Sequence, residues 1–554
     1  MSEMITVRLN NFLFNAGVVG LWYLLKKNEV SKELYEVKGS ELRLNTALFT
    51  SDAYDLADMF YRACRHRFED TSKWKNMIEL MKEIELLDLS SREGRERFSI
   101  LTKSRPGYEF GEFSKLESSS FKTGYGIIKS SFGDNFNCEA ETKKARKEKE
   151  PFIKRELLKE IISYIEKYPE VLFMKDIMYT KINSIWKDAA FLLRANAGKE
   201  VISCYGASFV EPLKKHLLKN KGKNDLCIEC GEPVAKGDAQ GMSWIQSGVD
   251  HGRKRSYFWN MKPDSFLCPV CTFIYSCAPL GFVFAARSGN AVFINNNSSI
   301  DDIIFDNNGA AQAEFDNVGS VISALTTQLV QKSINLKTRE LDNIQVIIFR
   351  NNRYEIGIIP KKKLEVIKNC QKSFEAITKA FVKFKDENIA IYEEVLHNFL
   401  FGINQYGLIN KLLRYPLDSS WFLRHIFRIQ IYTKGESKMT AEKDFKKAWV
   451  MSSHGFNLRE EIKKHKKESV DNAIRGIVYQ LLNPLQTRDS HRFFDVIART
   501  YTGYGLEIPK LFINMFEQEE TFLDLGYAFV FGLKGEGLQK QQTENNEKEA
   551  AVNE

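Results

Sequence analysis

The chain has 554 residues, 43% of them hydrophobic and 27% charged, with 40 Phe, 21 Tyr and a formal charge of +8. This composition excludes an intrinsically disordered chain and a small disulfide-stapled scaffold, and leaves room for roughly two to four domains with real cores. The modest positive charge leans toward anionic partners without selecting one.

In chain order, Ile5-Thr6-Val7-Arg8-Leu9 reads as a short strand and Asn10-Asn11 as a helix cap. Phe14, Val18, Leu21, Trp22 and Leu25 then recur at helical spacing. Gly17 and Gly20 inside that helix each cost about 1 kcal/mol of helix stability, so they predict close packing against another element. The apolar run from Phe12 to Leu25 is interrupted by Asn15 and is shorter than the ~20 residues of a bilayer helix. No small-residue cleavage site precedes the charged stretch from Lys26. A cytoplasmic protein without a membrane partner is therefore expected.

Glu41-Leu42-Arg43-Leu44 alternates like a strand, and residues 52 to 88 read as helical, with Met59, Phe60, Met77, Leu80 and Met81 on apolar stripes. From 103 to 137 the character changes. Lys122 to Gly133 is rich in Gly, Ser, Lys and aromatics and has no helical period. Long segments of this kind are functional or disordered. Lys122, Tyr125 and Lys129 make it a cationic segment suited to a nucleic-acid groove. The run Lys143-Lys144-Ala145-Arg146-Lys147 is either a solvated helix start or a phosphate-binding patch, and Pro151 opens an amphipathic helix to about Lys167.

Cys227-Ile228-Glu229-Cys230 and Cys268-Pro269-Val270-Cys271 carry the sharpest chemistry in the chain. Two residues between cysteines let both thiolates of a pair reach one tetrahedral ion at Zn–S distances of about 2.3 Å. Four thiolates fill the shell, so Cys227, Cys230, Cys268 and Cys271 are expected to hold a structural Zn2+. Gly231 frees the backbone to turn after the first pair, and Pro269 stiffens the second. About 37 residues separate the pairs, enough for an inserted loop or small sheet. Cys277 reads as a core cysteine. Lys214, Lys215, Lys219, Lys221 and Lys223 precede the first pair, and Arg253-Lys254-Arg255-Ser256-Tyr257-Phe258-Trp259 lies between the two. Cations interleaved with flat rings suit phosphate neutralisation and base stacking, and equally suit a solvated patch beside an aromatic mini-core.

Ala291-Val292-Phe293-Ile294 reads as a strand ending at Asn295-Asn296-Asn297, a run that is either a plain turn or a reader of base edges. Residues 344–349 and 354–359 form a hairpin around Asn351-Asn352-Arg353. Helical patterns then cover 361–386, 389–414, 419–431, 440–453, 457–483, 488–501 and 520–533. Lys361, Lys362 and Lys363 begin a basic stripe on the first of these, suited to a nucleic-acid strand or simply solvated. The polar tail 535–554 is expected to be disordered. The fold expectation is α+β: a mixed N-terminal domain (1–213 and 281–360) with an inserted zinc-knuckle module (214–280), followed by an all-α C-terminal bundle (361–534).

Asp250-His251, with Asn260, raises an alternative, an HNH-like nuclease in which His251 is the general base beside a divalent metal. Thr272-Phe273-Ile274-Tyr275-Ser276 after the last cysteine offers no hard-metal ligand for such a site, and no phosphate-binding Gly-x-x-x-x-Gly-Lys loop, nucleophile elbow or His-Glu-x-x-His occurs. The residues therefore point to a nucleic-acid-binding protein rather than an enzyme, with another zinc-ribbon binder as the second alternative.

Three features taken in order carry a family resemblance. They are the Gly-containing helix Asn11-Phe12-Leu13-Phe14-Asn15-Ala16-Gly17-Val18-Val19-Gly20-Leu21, the two Cys-x-x-Cys pairs, and the helical segments Gly476–Leu482 and Phe493–Tyr501. The chain resembles the CXXC–CXXC family of CRISPR-associated proteins, the large subunit of a type I-B Cascade complex. The resemblance implies a non-catalytic subunit that binds the guide RNA 5′ handle, inspects the PAM duplex, promotes R-loop formation and steers the displaced strand. Implied partners are the guide RNA, target double-stranded DNA and its displaced strand, the backbone, handle-end and small subunits, and a helicase-nuclease. It also implies a C-terminal bundle similar to the small subunit, with an internal start, for which Met439 after Gly435-Glu436-Ser437-Lys438 is the candidate.

Overall fold

The structure, a computed structural model, describes residues 4–102, 141, 144–145, 147–167, 177–186, 201–218, 225–235, 237–241, 266–285, 290–296, 299–308, 344–351, 353–378, 380–384, 387–414, 421–435, 437–465, 470–516 and 519–535. The chain mixes helices and strands and forms two compact units, Met1–Lys332 with Ile344–Gly357, and Ser333–Asn343 with Ile358–Glu554.

In the first unit, strand β1 (Met4–Arg8) runs into helix α1 (Phe12–Lys27), and β2 (Tyr35–Lys38) and β3 (Glu41–Asn45) follow. The sheet has the order β1-β3-β2 with both pairings antiparallel, and Leu42 opposes Val7 on one side and Val37 on the other. Alternation along β3 buries Leu42 and Leu44 and leaves Glu41 and Arg43 at the surface, where they pair with each other. The helical stretch expected over 52–88 is two helices, α2 (Leu56–Phe68) and α3 (Lys73–Glu85), separated by a 3-10 turn at Glu69–Thr71. Helix α4 (Arg92–Thr102) comes next, and α5 (Pro151–Lys167) starts at the expected proline.

Further along lie α6 (Glu211–Leu218), the short strands β4 (Asp225–Leu226) and β5 (Pro233–Val234), and helices α7 (Pro269–Ser276) and α8 (Ala278–Gly281). A second sheet of order β6-β7-β8-β9 is built from β6 (Val283–Phe284), β7 (Ala291–Asn295), β8 (Ile344–Arg350) and β9 (Arg353–Ile359), with α9 (Ile300–Asn308) following β7. Both β6 and β8 run antiparallel to β7. β7 is buried along its whole length, which is why its sequence is continuously apolar.

Helix α1 is the axis of this unit, buried on almost every side, with α7, α8, α2 and β7 packed against it. A methyl group at Gly17 would sit 2.4 Å from the Ile274 carbonyl oxygen, one at Gly20 1.9 Å from that of Cys277, and one at Gly281 2.0 Å from that of Ala16. The two helix glycines are therefore there to let backbones touch, as their placement predicted, and the segment they meet begins within the second cysteine pair. Asn15, the polar interruption in the apolar run, is fully buried. Its Oδ1 accepts from the Asn10 amide at 2.7 Å, and its Nδ2 donates to the Asn10 carbonyl and to Asn295 Oδ1 at 2.8 Å. Asn295 donates in turn to Gln345 Oε1, so α1 is stitched to the second sheet by satisfied amides.

The second unit is mainly helical. Its elements are α10 (Lys361–Asn369), α11 (Gln371–Ile377), β10 (Phe381–Phe384), β11 (Glu387–Ala390), α12 (Ile391–Phe401), α13 (Tyr406–Arg414), α14 (Phe422–Lys434), α15 (Lys438–His465), α16 (Val470–Thr487), α17 (Ser490–Gly503) and α18 (Glu519–Lys534), with a 3-10 turn at Lys510–Phe516. Two expectations are corrected here. The unit is not all-α, because β10 and β11 form an antiparallel hairpin in which Val382 faces Ile389 and both are buried. The lysine-rich pattern on either side masks this short period-2 signal. And 440–453 does not end near Gly455: α15 runs unbroken for 28 residues. Gly455 looks like a helix stop but serves a crossing. A methyl there would lie 2.1 Å from the Phe529 carbonyl oxygen, and one at Gly532 would lie 1.8 Å from that of Ser452, so α15 and α18 pack backbone to backbone. Of the tail expected to be disordered, 535–554, residues 536–554 lie outside the described residues.

Candidate metal centre

The segment that brings the cysteines together is short of regular structure and long on backbone hydrogen bonds. The Cys227 amide donates to the Glu232 carbonyl and the Gly231 amide donates back to the Cys227 carbonyl, each at 2.9 Å. This closes the first pair into a tight turn, which Gly231 completes with a left-handed φ of +73°. The Ile228 amide donates to the Phe266 carbonyl, and Leu267 and Gln240 exchange both backbone bonds, which draws the second pair alongside the first. There Cys268 is the N-cap of α7, with Pro269 in the first turn.

The four sulfurs of Cys227, Cys230, Cys268 and Cys271 lie within 4.8 Å of one another, a group able to hold a metal ion. Cys230 Sγ is 3.8 Å from Cys268 Sγ. Three of the four cysteines are buried and Cys230 is exposed, so the site has one open side. Amides already point at the sulfurs: Cys268 N donates to Cys227 Sγ at 3.3 Å and Cys271 N to Cys268 Sγ at 3.4 Å. Such bonds, with the positive end of α7, favour thiolates. Left to themselves the four thiols divide, with Cys227 and Cys230 held below the ordinary thiol range and Cys268 and Cys271 pushed above it. Donation from Cys230, and then from Cys268 and Cys271, holds Cys227 well below the ordinary thiol range, while Cys271 and Cys268 are pushed up chiefly by their bonds to Cys227. A divalent cation resolves that conflict by giving every sulfur its own positive partner. The donor set, its spacing and its burial fit a structural metal ion with four protein ligands.

The centre is bolted to α1 by a cluster that sequence reasoning missed. Asn11, the N-cap of α1, accepts from the Leu13 and Phe14 amides through Oδ1. Its Nδ2 donates to Glu229 Oε1 at 3.1 Å and to the Tyr275 hydroxyl at 2.7 Å. Tyr275 donates onward to Glu229 Oε2 at 2.7 Å. One side chain from α1, one from between Cys227 and Cys230, and one from α7 thus close a ring. Burial pushes the Glu229 carboxyl up, opposed by the bond from Tyr275, and burial raises Tyr275 as well. The readable signal was a carboxylate placed inside a Cys-x-x-Cys pair. Cys277 is a core residue as expected, its thiol pushed up to about 12 by burial.

The other candidate residues fare differently. Asn295 and Asn296 are not base readers: both are buried, Asn295 between Asn15 and Gln345, and Asn296 donating to Asp306 Oδ2 at 3.2 Å. A β-strand end inside a core needs its polar groups satisfied, and these amides do that. Lys363 is likewise a structural tie, its Nζ donating to the Leu400 carbonyl at 2.7 Å and to that of Ile358, with burial lowering its pKa. Lys362 is exposed on α10, and Lys361 opens that helix. Lys214 lies 3.8 Å from Asp52, Lys215 is exposed, and Lys144 pairs with Glu141 at 2.6 Å. Lys122, Tyr125, Lys129, Lys143, Arg146, Lys219, Lys221, Lys223, Asp250, His251, Arg253, Lys254, Arg255, Asn260 and Asn297 lie outside the described residues. Among the described residues, no helix is long and apolar enough to cross a membrane.

These features define an α+β protein of two units, the first of which carries a four-cysteine cluster able to hold a metal ion. Residues 220–283, the segment that holds all four cysteines together with α7 and α8, match the family model of CRISPR-associated proteins described as Cas_CXXC_CXXC, the family that the order of motifs resembles. No curated protein matches the chain significantly.

Proposed function

We propose that this protein is the large subunit of a type I-B CRISPR interference complex, without a catalytic centre of its own. The observation that carries the reading is the four-thiolate cluster, which lies in the segment matched by the family model and is joined to α1 by Asn11, Glu229 and Tyr275. In this reading the ion at Cys227, Cys230, Cys268 and Cys271 is Zn2+, because four thiolates suit a borderline-soft cation and leave no ligand position for substrate. The ion acts through rigidity: it ties the two cysteine pairs together, and Glu229 and Tyr275 tie them to Asn11 at the start of α1.

Guide pairing carries the target sequence, so the subunit itself needs to grip a backbone and inspect a short duplex. The basic residues before and between the cysteine pairs supply the backbone contacts, and the segment with Lys122, Tyr125 and Lys129 supplies the duplex contacts. The roles proposed for the subunit, which the family resemblance implies, are binding the guide RNA 5′ handle, PAM recognition, R-loop formation and docking of a helicase-nuclease. The test is affinity purification of the full-length chain from its own cells, followed by sequencing of the RNA that comes with it. A single class of short repeat-derived guide RNA, in a complex with other CRISPR-associated subunits, is expected. A chain that purifies without such RNA overturns the reading.

A further inference from the structure

The four cysteines of the metal centre are not equivalent. Leu226, Ile228 and Cys230 are exposed together, so the tip of the first pair stands in solvent, whereas Cys227, Cys268 and Cys271 are buried. Thiolates that hold a structural ion resist chemistry when they are buried and accept hydrogen bonds. Cys227 Sγ accepts from the Cys268 amide at 3.3 Å and Cys268 Sγ from the Cys271 amide at 3.4 Å. Among the described residues, no backbone amide donates to Cys230 Sγ. Cys230 is therefore the sulfur that a reagent in solution reaches, and no amide draws charge from it.

A second sulfur waits beside it. Cys268 Sγ lies 3.8 Å from Cys230 Sγ. A disulfide needs an S–S distance of about 2.05 Å, so the two sulfurs have to close by less than about 2 Å. The turn permits that movement, because the backbone bonds that close it run through Cys227, Ile228 and Gly231 and bypass Cys230. Glu229, the neighbour of Cys230, accepts from Asn11 and Tyr275. A displaced Cys230 therefore pulls on the tie between the cysteine pairs and α1.

We propose that Cys230 is a modification site for hydroperoxides, oxidised to a disulfide with Cys268 that opens the metal centre. The Cys230 thiolate attacks one oxygen of the peroxide, the O–O bond breaks, and hydroxide leaves and is protonated by solvent, giving a sulfenic acid. The Cys268 thiolate then attacks the Cys230 sulfur, the S–O bond breaks, and a second hydroxide leaves and takes a proton. Two thiolates lose two electrons in forming one S–S bond, and the peroxide is reduced to two waters. Cys227 and Cys271 remain, too few to fill a tetrahedral shell. The site rests on the reading of the four cysteines as metal ligands and is independent of the role in a CRISPR complex.

The experiment uses the full chain, purified under reductant, desalted and assayed for metal before anything is added. N-ethylmaleimide labelling of the metal-loaded chain, read by peptide mass spectrometry, is expected to modify Cys230 about tenfold faster than Cys227, Cys268 or Cys271. Hydrogen peroxide at a small molar excess should then release the ion to a chromogenic chelator and yield a cross-linked peptide pair holding Cys230 and Cys268. Dithiothreitol with added Zn2+ should reverse both changes. Cys204→Ser, which removes a half-buried cysteine outside the cluster, should behave as wild type. Labelling of the other three cysteines as fast as Cys230, a cross-link that leaves Cys230 out, or an ion retained under peroxide overturns the site. A Cys227–Cys230 link overturns the choice of Cys268 as partner. A chain that carries no metal and takes up none overturns the metal reading first, and the modification site with it.

Discussion

Replacing Gly20 by Ala tests whether the α1 crossing is as close as the structure places it. The added methyl would lie 1.9 Å from the Cys277 carbonyl oxygen and 3.2 Å from the Gly281 amide nitrogen. Both obstacles are backbone, so no rotamer change relieves them, and the helices must separate by more than 1 Å to restore van der Waals distance. Overpacking of this kind costs about 1–3 kcal/mol, and more when backbones must move. Alanine returns about 1 kcal/mol through its higher helix propensity. We expect a net loss of about 2 kcal/mol from the first unit, read as a fall of roughly 3 °C in its thermal midpoint by circular dichroism. Gly476→Ala is the matched comparison. It is also a helix-interior glycine, but a methyl there meets nothing within 4 Å, so only the propensity gain remains and the midpoint should rise slightly. A Gly20→Ala protein as stable as wild type, or both variants shifting in the same direction, would refute the reasoning.

Cys271→Ser should lower metal content from about one ion per chain to a small fraction, measured by elemental analysis, whereas Cys277→Ser should retain it, because Cys277 lies in the core and outside the cluster. Chelation of the wild type should destabilise the first unit, since the ion joins segments that have few other regular contacts; an unchanged midpoint after complete removal would contradict that role. Asn11→Ala should cost about 2 kcal/mol, combining a lost cap with lost bonds to Glu229 and Tyr275. Asn11→Asp keeps the cap but sets a second carboxylate against Glu229, so it should remain below wild type in urea denaturation. His425 is held down to about 4 by burial, reinforced by Arg424 and Arg428, and its Nε2 accepts from Arg424 at 3.3 Å. The unfolded chain therefore binds the extra proton first, and stability is lost as pH falls from about 6.5 to about 4. His425→Gln should flatten that window by about 1 kcal/mol, allowing for partial solvent exposure, in unfolding curves taken across it.

Local rules made much of this protein readable. Asn11 caps α1, Pro151 opens α5, β3 and β7 sit where alternation and apolar runs put them, and the hairpin of β8 and β9 turns at Asn351, with φ +52°. The cysteine spacing pointed to the four residues whose sulfurs cluster, because two intervening residues constrain the sulfur positions of each pair without help from the rest of the fold. Elsewhere the same letters had two meanings. Gly455 reads as a helix stop when only its own propensity is weighed, and only the approach of α18 shows that it is a crossing point. Asn295 and Asn296 look like exposed readers until the burial of β7 turns them into internal ligands for Asn15 and Asp306. Lys363 belongs to a basic stripe by composition and to the Leu400 carbonyl by position. Spacing and propensity act over a few neighbouring residues and are legible in a linear chain. Burial, close backbone approach and the pairing of Asn11 with Glu229, far apart in sequence, are set by which surfaces meet in three dimensions, and the linear chain does not record them.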